Sequence, residues 1–256
     1  MENIISQVQP PVALFFDEVP LANIKSNKTS YDWSSLENRR AEDVSVVVSL
    51  QPLLLAAARR TKSQTVTGPR DADVIELTSQ YRNTINISAF VNQLCRRELP
   101  VEYADVECSS SHDLQGPEIK VVFLGDLNYT GRLSVWLSNH LQETLACWPW
   151  QVKMIHVSNT ERLARRVAKG TAYEGGLTAI NDFQGCETPV AVVFFSNAPG
   201  GDYSQLLEMC SRAQYKLVLV MYDNPTLHDM LDDVETETSV IDIQKIDPQC
   251  CYFQSD

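Results

Sequence analysis

Short runs of β-branched and aromatic residues alternate along this chain with segments whose apolar positions recur every three or four residues. Val12 to Phe16, Val44 to Leu50, Val74 to Leu77, Lys120 to Leu124, Val152 to Val157, Val190 to Phe195 and Leu217 to Met221 read as strands. Leu53 to Arg60, Ile85 to Arg97, Leu133 to Cys147, Thr160 to Lys169, Ser204 to Arg212 and Thr226 to Asp233 read as helices. In the second of these, Ile87, Phe90, Val91 and Leu94 recur at helical spacing, as a face packed on a sheet requires. The alternation predicts an α/β fold, a parallel sheet flanked by helices.

Two stretches interrupt the pattern. Thr61 to Asp73 is polar and holds Gly68-Pro69, so it reads as a connection between two units; Glu107 to Pro117 holds Ser109-Ser110-Ser111 and reads as a loop. After Asp223 the chain turns acidic, with Asp229, Asp232, Asp233, Glu235 and Glu237, and is expected to fade into a mobile end after Lys245.

Composition narrows the partners. With 44% hydrophobic residues in 256 there is enough apolar material for a buried core. The formal charge of −12, from 33 acids against 21 bases, opposes binding of a phosphate backbone unless a local basic patch overcomes it. Seven cysteines, an odd number without the paired short spacings of zinc ribbons or disulfide frameworks, point to a reducing compartment. No basic segment followed by an apolar region opens the chain, and no apolar run approaches the roughly 20 residues that span a bilayer. The expected setting is intracellular, cytoplasmic or nuclear.

Three segments can carry chemistry. Leu14-Phe15-Phe16-Asp17-Glu18 is an apolar run ending in two acids. An acid at the carboxyl end of a strand can hold Mg²⁺, and its neighbour can orient an attacking water; a solvated acidic turn would look the same. Tyr81-Arg82 precedes the helix at Ile85 and suits a nucleotide, with a ring to stack on a base and a guanidinium to meet phosphate; equally, the pair could cap the helix and face nearby acids. Third, Phe183 to Val190 places Glu187 in a turn before one strand, and Met209 to Ala213 places Arg212 before another. No Gly-x-x-x-x-Gly-Lys-Ser/Thr loop occurs in the sequence.

Taken in order, these segments resemble part of a superfamily 1 helicase, of the UvrD/Rep-like and Schlafen helicase-like kind. Phe16-Asp17-Glu18 resembles the Walker B acids, Ser49-Leu50-Gln51 within Val46 to Pro52 the third motif, Leu77 to Asn83 the fourth, Asp182 to Val190 the fifth and Met209 to Ala213 the sixth. The resemblance implies a RecA-like, P-loop NTPase-type fold: a remnant of a first domain in 1–68, a second domain in 69–245 and a tail in 246–256. It implies that Asp17 and Glu18 serve Mg²⁺ and the hydrolytic water, with Asp17 the metal residue, and that Gln51 senses the γ-phosphate. It further implies that Tyr81 stacks on adenine, that Arg82 and Arg212 reach the phosphates and that Glu187 contacts the ribose. ATP and Mg²⁺ are then the cofactors of an intact form, and nucleic acid its partner.

The departures shape the expectation. Only 16 residues precede Asp17, so most of the first domain and its phosphate loop are expected to be missing. Val47-Val48 replaces the usual Gly-Asp ahead of Gln51, and Val19-Pro20 replaces the polar continuation after the two acids. The function so implied is the arginine-bearing half, the C-terminal half, of an ATP-driven nucleic-acid motor, expected to be inactive alone; the alternative is a truncated or pseudo-enzymatic protein-interaction or regulatory module. The basic cluster Arg162-Arg165-Arg166-Lys169 reads as a solvated helix face, and Trp136, Trp148 and Trp150 read as packing groups. The four histidines have no ligand-like spacing.

Overall fold

The structure of the chain is a computed structural model that describes residues 12–16, 44–48, 79–80, 82–98, 109–110, 113–124, 130–144, 146–196, 204–222, 229, 231 and 244–246. The chain divides into Met1–Glu76 and Leu77–Asp256. In the first unit, β1 (Val12–Phe16) and β2 (Val44–Val48) are parallel, with Val12 opposite Val44 and Phe16 opposite Val48.

The second unit begins with β3 (Ser79–Gln80), α1 (Ile85–Glu98), β4 (Ser109–Ser110), β5 (Lys120–Leu124) and α2 (Thr130–Asn139). It continues through β6 (Val152–His156), α3 (Glu161–Ala168), β7 (Leu177–Ala179), β8 (Thr188–Phe195), α4 (Ser204–Ser211), β9 (Ala213–Tyr222) and β10 (Gln244–Ile246). β3 and β4 form a short parallel pair of their own, and the remaining strands form one sheet in the order β10-β5-β9-β8-β6-β7. Every pairing in it is parallel, as the sequence pattern predicts.

Side-chain alternation assigns the two faces. Val190, Val192 and Phe194 of β8, with Val218 and Val220 of β9, belong to a core that includes Leu133 and Leu137 of α2 and Leu163 and Val167 of α3. The intervening residues Ala191, Val193, Leu217 and Leu219 are also fully buried, and α1 and α4 pack together and against β9. A strand covered on both faces has no position for a solvated side chain, which is why β8 and β9 are apolar almost throughout.

Several expected boundaries move. The helix expected from Leu133 to Cys147 ends at Asn139 and widens into a π turn over His140–Thr144. Cys147 lies beyond it, its N–H donating back to the Leu141 carbonyl at 2.8 Å, and Ala146 has φ 49°. The extended backbone at Trp148 follows from Pro149, which excludes the helical region for the residue before it. β8 begins earlier than expected because its ladder slips at Pro189, between Thr188 and Val190, where a residue without an N–H is tolerated.

β3, β4, β7 and β10 are additional to the expected strands, β4 lying within the stretch Glu107 to Pro117 that was expected to be a loop. β7 is only three residues long, and Gly176 lets the chain enter it: a Cβ there would stand 2.4 Å from the Val152 carbonyl oxygen. β10 pairs Ile246 with Val122, so ordered strand extends one residue past the expected fade at Lys245. The expected elements Leu53 to Arg60 and Val74 to Leu77 lie outside the described residues, as does Thr226 to Asp233 apart from Asp229 and the fully buried Leu231.

Candidate functional site at the amino edge of the sheet

Three segments distant in sequence meet where β8 and β9 begin. The Thr84 N–H donates to the Gln214 carbonyl and the Thr188 N–H to the Arg212 carbonyl, each at 3.0 Å, so the approach to α1, the turn before β8 and the α4–β9 junction are directly bonded. Asn83, 7% exposed, extends its amide to the carbonyls on either side of Arg212, those of Ser211 at 3.1 Å and Ala213.

The turn that carries Glu187 closes through Cys186 N–H to the Phe183 carbonyl at 3.2 Å, with Gly185 at φ 70°. That positive φ costs glycine nothing. Thr188 then anchors the turn by donating its hydroxyl to the Gln151 carbonyl at 2.9 Å. Glu187 is left facing two donors: its Oε1 pairs with Arg82 Nε, and its Oε2 accepts from Gln214 Nε2 at 2.8 Å.

The two arginines differ in exposure. The Arg82 side chain is 41% exposed, whereas that of Arg212 is 2% exposed and its Nη2 lies 3.4 Å from Glu208 Oε1, one turn back on α4. A phosphate could reach Arg82 in this conformation; Arg212 is enclosed. Thus Arg82, Arg212 and Glu187 share one edge, while Tyr81, Asp17, Glu18 and Gln51 lie outside the described residues.

A second group of charges lies under α2. Lys216, fully buried, donates from Nζ to the Glu118 carbonyl, and Lys120 Nζ meets Glu118 Oε2 at 2.7 Å. Burial, reinforced by the Lys120 ammonium, brings the Lys216 pKa down to about 8. His140 stacks on Trp136 with ring centroids 5.0 Å apart, and burial with the two ammonium groups brings its pKa down to about 4. Its buried Nε2 has no hydrogen-bond partner among the described residues. Sequence reasoning passed over Lys216 and Asn83. For Lys216 the signal was there, a charge amid the apolar run Leu217 to Met221 and its approach; for Asn83 there was none.

Across the sheet, the outer face of α3 displays Arg162, Arg165, Arg166 and Lys169, all exposed as a solvated face should be. They line a shallow depression of about 400 Å³ together with Ser158 and Asn159. Arg165 Nη2 pairs with Glu161 Oε1 at 2.8 Å. Burial raises the Tyr222 pKa, and the nearby Arg166 and Arg162 oppose that rise.

The expectation that all three tryptophans pack is corrected at two of them. Trp136 lies against the core, but Trp148 is 66% and Trp150 73% exposed. The turn that carries them is held by its own polar bonds: the Trp148 N–H donates to Gln151 Oε1, and the Gln151 N–H donates to the Trp148 carbonyl. Both rings are left at the surface.

No protein-family model matches this chain, and no curated protein matches it. Among solved structures it is similar to the C-terminal domain of a possible DNA helicase from Lactobacillus plantarum WCFS1, at 19% identity and a TM-score of 0.41, over 64% of this chain and 98% of that one. It is also similar to S. cerevisiae Dbp5 bound to RNA and ADP BeF3, at 12% identity and a TM-score of 0.32. That match covers 94% of this chain, which spans 61% of the Dbp5 chain.

Proposed function

We propose that Leu77–Asp256 is a second RecA-like domain, the arginine-bearing half of a superfamily 1-type ATP-driven nucleic-acid motor. One observation carries the reading: Arg82, Glu187 and Arg212, up to 130 positions apart, belong to one hydrogen-bonded edge. Such an edge suits a phosphoryl-transfer site shared with another domain, because fixed guanidinium groups stabilise the charge that spreads over a transferring phosphate. Arg82 fits that role as it stands. Arg212 fits it only after leaving Glu208. By the same resemblance, Asp17, Glu18 and Gln51 carry the Mg²⁺ and water roles of such a motor.

The 256 residues contain no phosphate loop, so they supply neither its amide cradle nor its lysine, and this chain by itself binds ATP weakly and does not hydrolyse it efficiently. The exposed cations of α3 are the described surface best suited to a nucleic-acid backbone. Given the net charge of −12, that contact is weak and steeply salt-dependent in the isolated chain.

The deciding experiment measures ATP binding and nucleic-acid-stimulated hydrolysis on this chain and on a longer form that carries a phosphate loop. In the longer form, Arg82→Ala lowers hydrolysis by about 10³-fold or more. Tight Mg²⁺-dependent binding by the present chain, abolished by Asp17→Ala, would overturn the reading, as would an Arg82→Ala variant that hydrolyses normally.

A second reading, a protein-interaction module derived from such a motor, is favoured by the exposed Trp148 and Trp150, since tryptophan is the side chain most enriched in interaction hot spots.

A further inference from the structure

Arg82 and Arg212 reach the amino edge by different routes, one just ahead of α1 and the other between α4 and β9. Their guanidinium groups have different partners, Glu187 and Glu208. What joins their backbones is Asn83, the immediate neighbour of Arg82, whose Nδ2 bonds to the carbonyls of both Ser211 and Ala213. Both acceptors are carbonyl oxygens, which fixes the amide with its nitrogen toward them.

The Ser211 carbonyl belongs to the last turn of α4, where backbone acceptors have no partner within the helix, so the amide also caps that helix. The Thr84 N–H to Gln214 carbonyl bond continues the join, and the Thr188 N–H to Arg212 carbonyl bond ties the Glu187 turn to the same segment.

We propose that Asn83 is a positioning residue: it clasps the backbone around Arg212 so that Arg82 and Arg212 move as one unit. This rests on the proposed function only in taking both arginines to act on one phosphate; the clasp itself stands on the bonds above. The side-chain chemistry is specific. An amide offers two donors to two acceptors, serine offers one with shorter reach, and an aspartate would set a carboxylate against two carbonyl oxygens.

The test uses the full chain with Asn83→Asp and Asn83→Ser, followed by amide hydrogen exchange and by the arginine Nε–Hε resonances. For Asn83→Asp, the Thr84 and Thr188 amides, whose acceptors lie on the clasped segment, exchange at least tenfold faster, while Val192 and Val193 in the middle of β8 keep their wild-type rates. Asn83→Ser gives the same pattern at smaller size and serves alone if the aspartate variant does not fold. The Arg82 resonance shifts in both variants. Uniform acceleration at every amide, or no change at Thr84 and Thr188, would overturn the clasp.

Titration with tripolyphosphate then separates the two ideas. A wild-type Arg82 resonance that moves, with the affinity lowered about tenfold by Asn83→Asp, supports clasp and function together. A wild-type resonance that ignores tripolyphosphate counts against the proposed function, and the exchange data still decide the clasp.

Discussion

Arg82, Arg212, Lys216 and Lys120 lie toward the amino edge of the sheet, whereas Arg162, Arg165, Arg166 and Lys169 stand on the outer face of α3. Two of those at the edge are enclosed: Arg212 and Lys216 are 2% and 1% exposed and are held by Glu208 and the Glu118 carbonyl. The α3 cations face water, and Arg165 meets Glu161 only across one turn of its own helix. Buried charge gains little from water and depends on its protein partners, so it contributes to the stability of one arrangement. Displayed charge is screened, contributes little to folding and is available to a ligand.

The largest expected effect tests that contrast directly. Arg212→Ala removes the buried pair with Glu208 and opens space beside α4, and it costs about 2–4 kcal/mol. Arg162→Ala costs no more than about 0.5 kcal/mol. Urea unfolding midpoints at constant slope measure both; equal losses would erase the distinction between enclosed and displayed cations.

Lys216 sharpens it with a sign. Its pKa falls from 10.5 to about 8 on folding, so the folded chain releases this proton first. Between about pH 8 and 10.5 the unfolded chain binds more protons and stability climbs with pH; below that window the full cost of the buried ammonium applies. Lys216→Met removes the climb and gains about 1–2 kcal/mol at pH 7, after the lost bond to the Glu118 carbonyl is counted. Unfolding curves from pH 7 to 10 that keep the same slope in the variant would assign the charge cost elsewhere.

His140 acts in the opposite range and more weakly, because its ring is only partly enclosed. Its pKa drops from 6.5 to about 4, so stability is complete above 6.5 and declines as pH falls toward 4. His140→Gln flattens that decline, and thermal melts between pH 7 and 4 read the change. The smallest effect belongs to the displayed set: Glu161→Ala, which breaks an exposed i,i+4 pair, lowers the thermal midpoint only slightly, and 1 M salt removes most of the difference.

Legibility in the sequence followed the range of the interactions concerned. Lys120–Leu124 was readable to the residue because five consecutive strand-forming positions need no outside information. Leu177–Ala179 was not, since three unremarkable residues become a strand only beside β6. The exposure of Trp148 and Trp150 was misread because bulky apolar residues are usually buried, and only the turn at Pro149 turns them outward. At the candidate site, Arg82, Glu187 and Arg212 were singled out by motif order, yet the burial of Arg212 depends on tertiary packing. Asn83 was invisible as a clasp because its acceptors lie 128 and 130 positions away.

The strand order has a consequence for the chain as it is made. β5 lies between β9 and β10, so Lys120 finds its neighbours only at Val218 and Gln244. At synthesis rates of roughly 5–20 residues per second, the apolar stretch Lys120–Leu124 leaves the ribosome roughly 5–20 s before Val218 exists to pair with it. During that interval both of its edges are open to any other extended segment, which makes this short strand the natural place for a chaperone to hold the nascent chain and for a stalled product to begin aggregating.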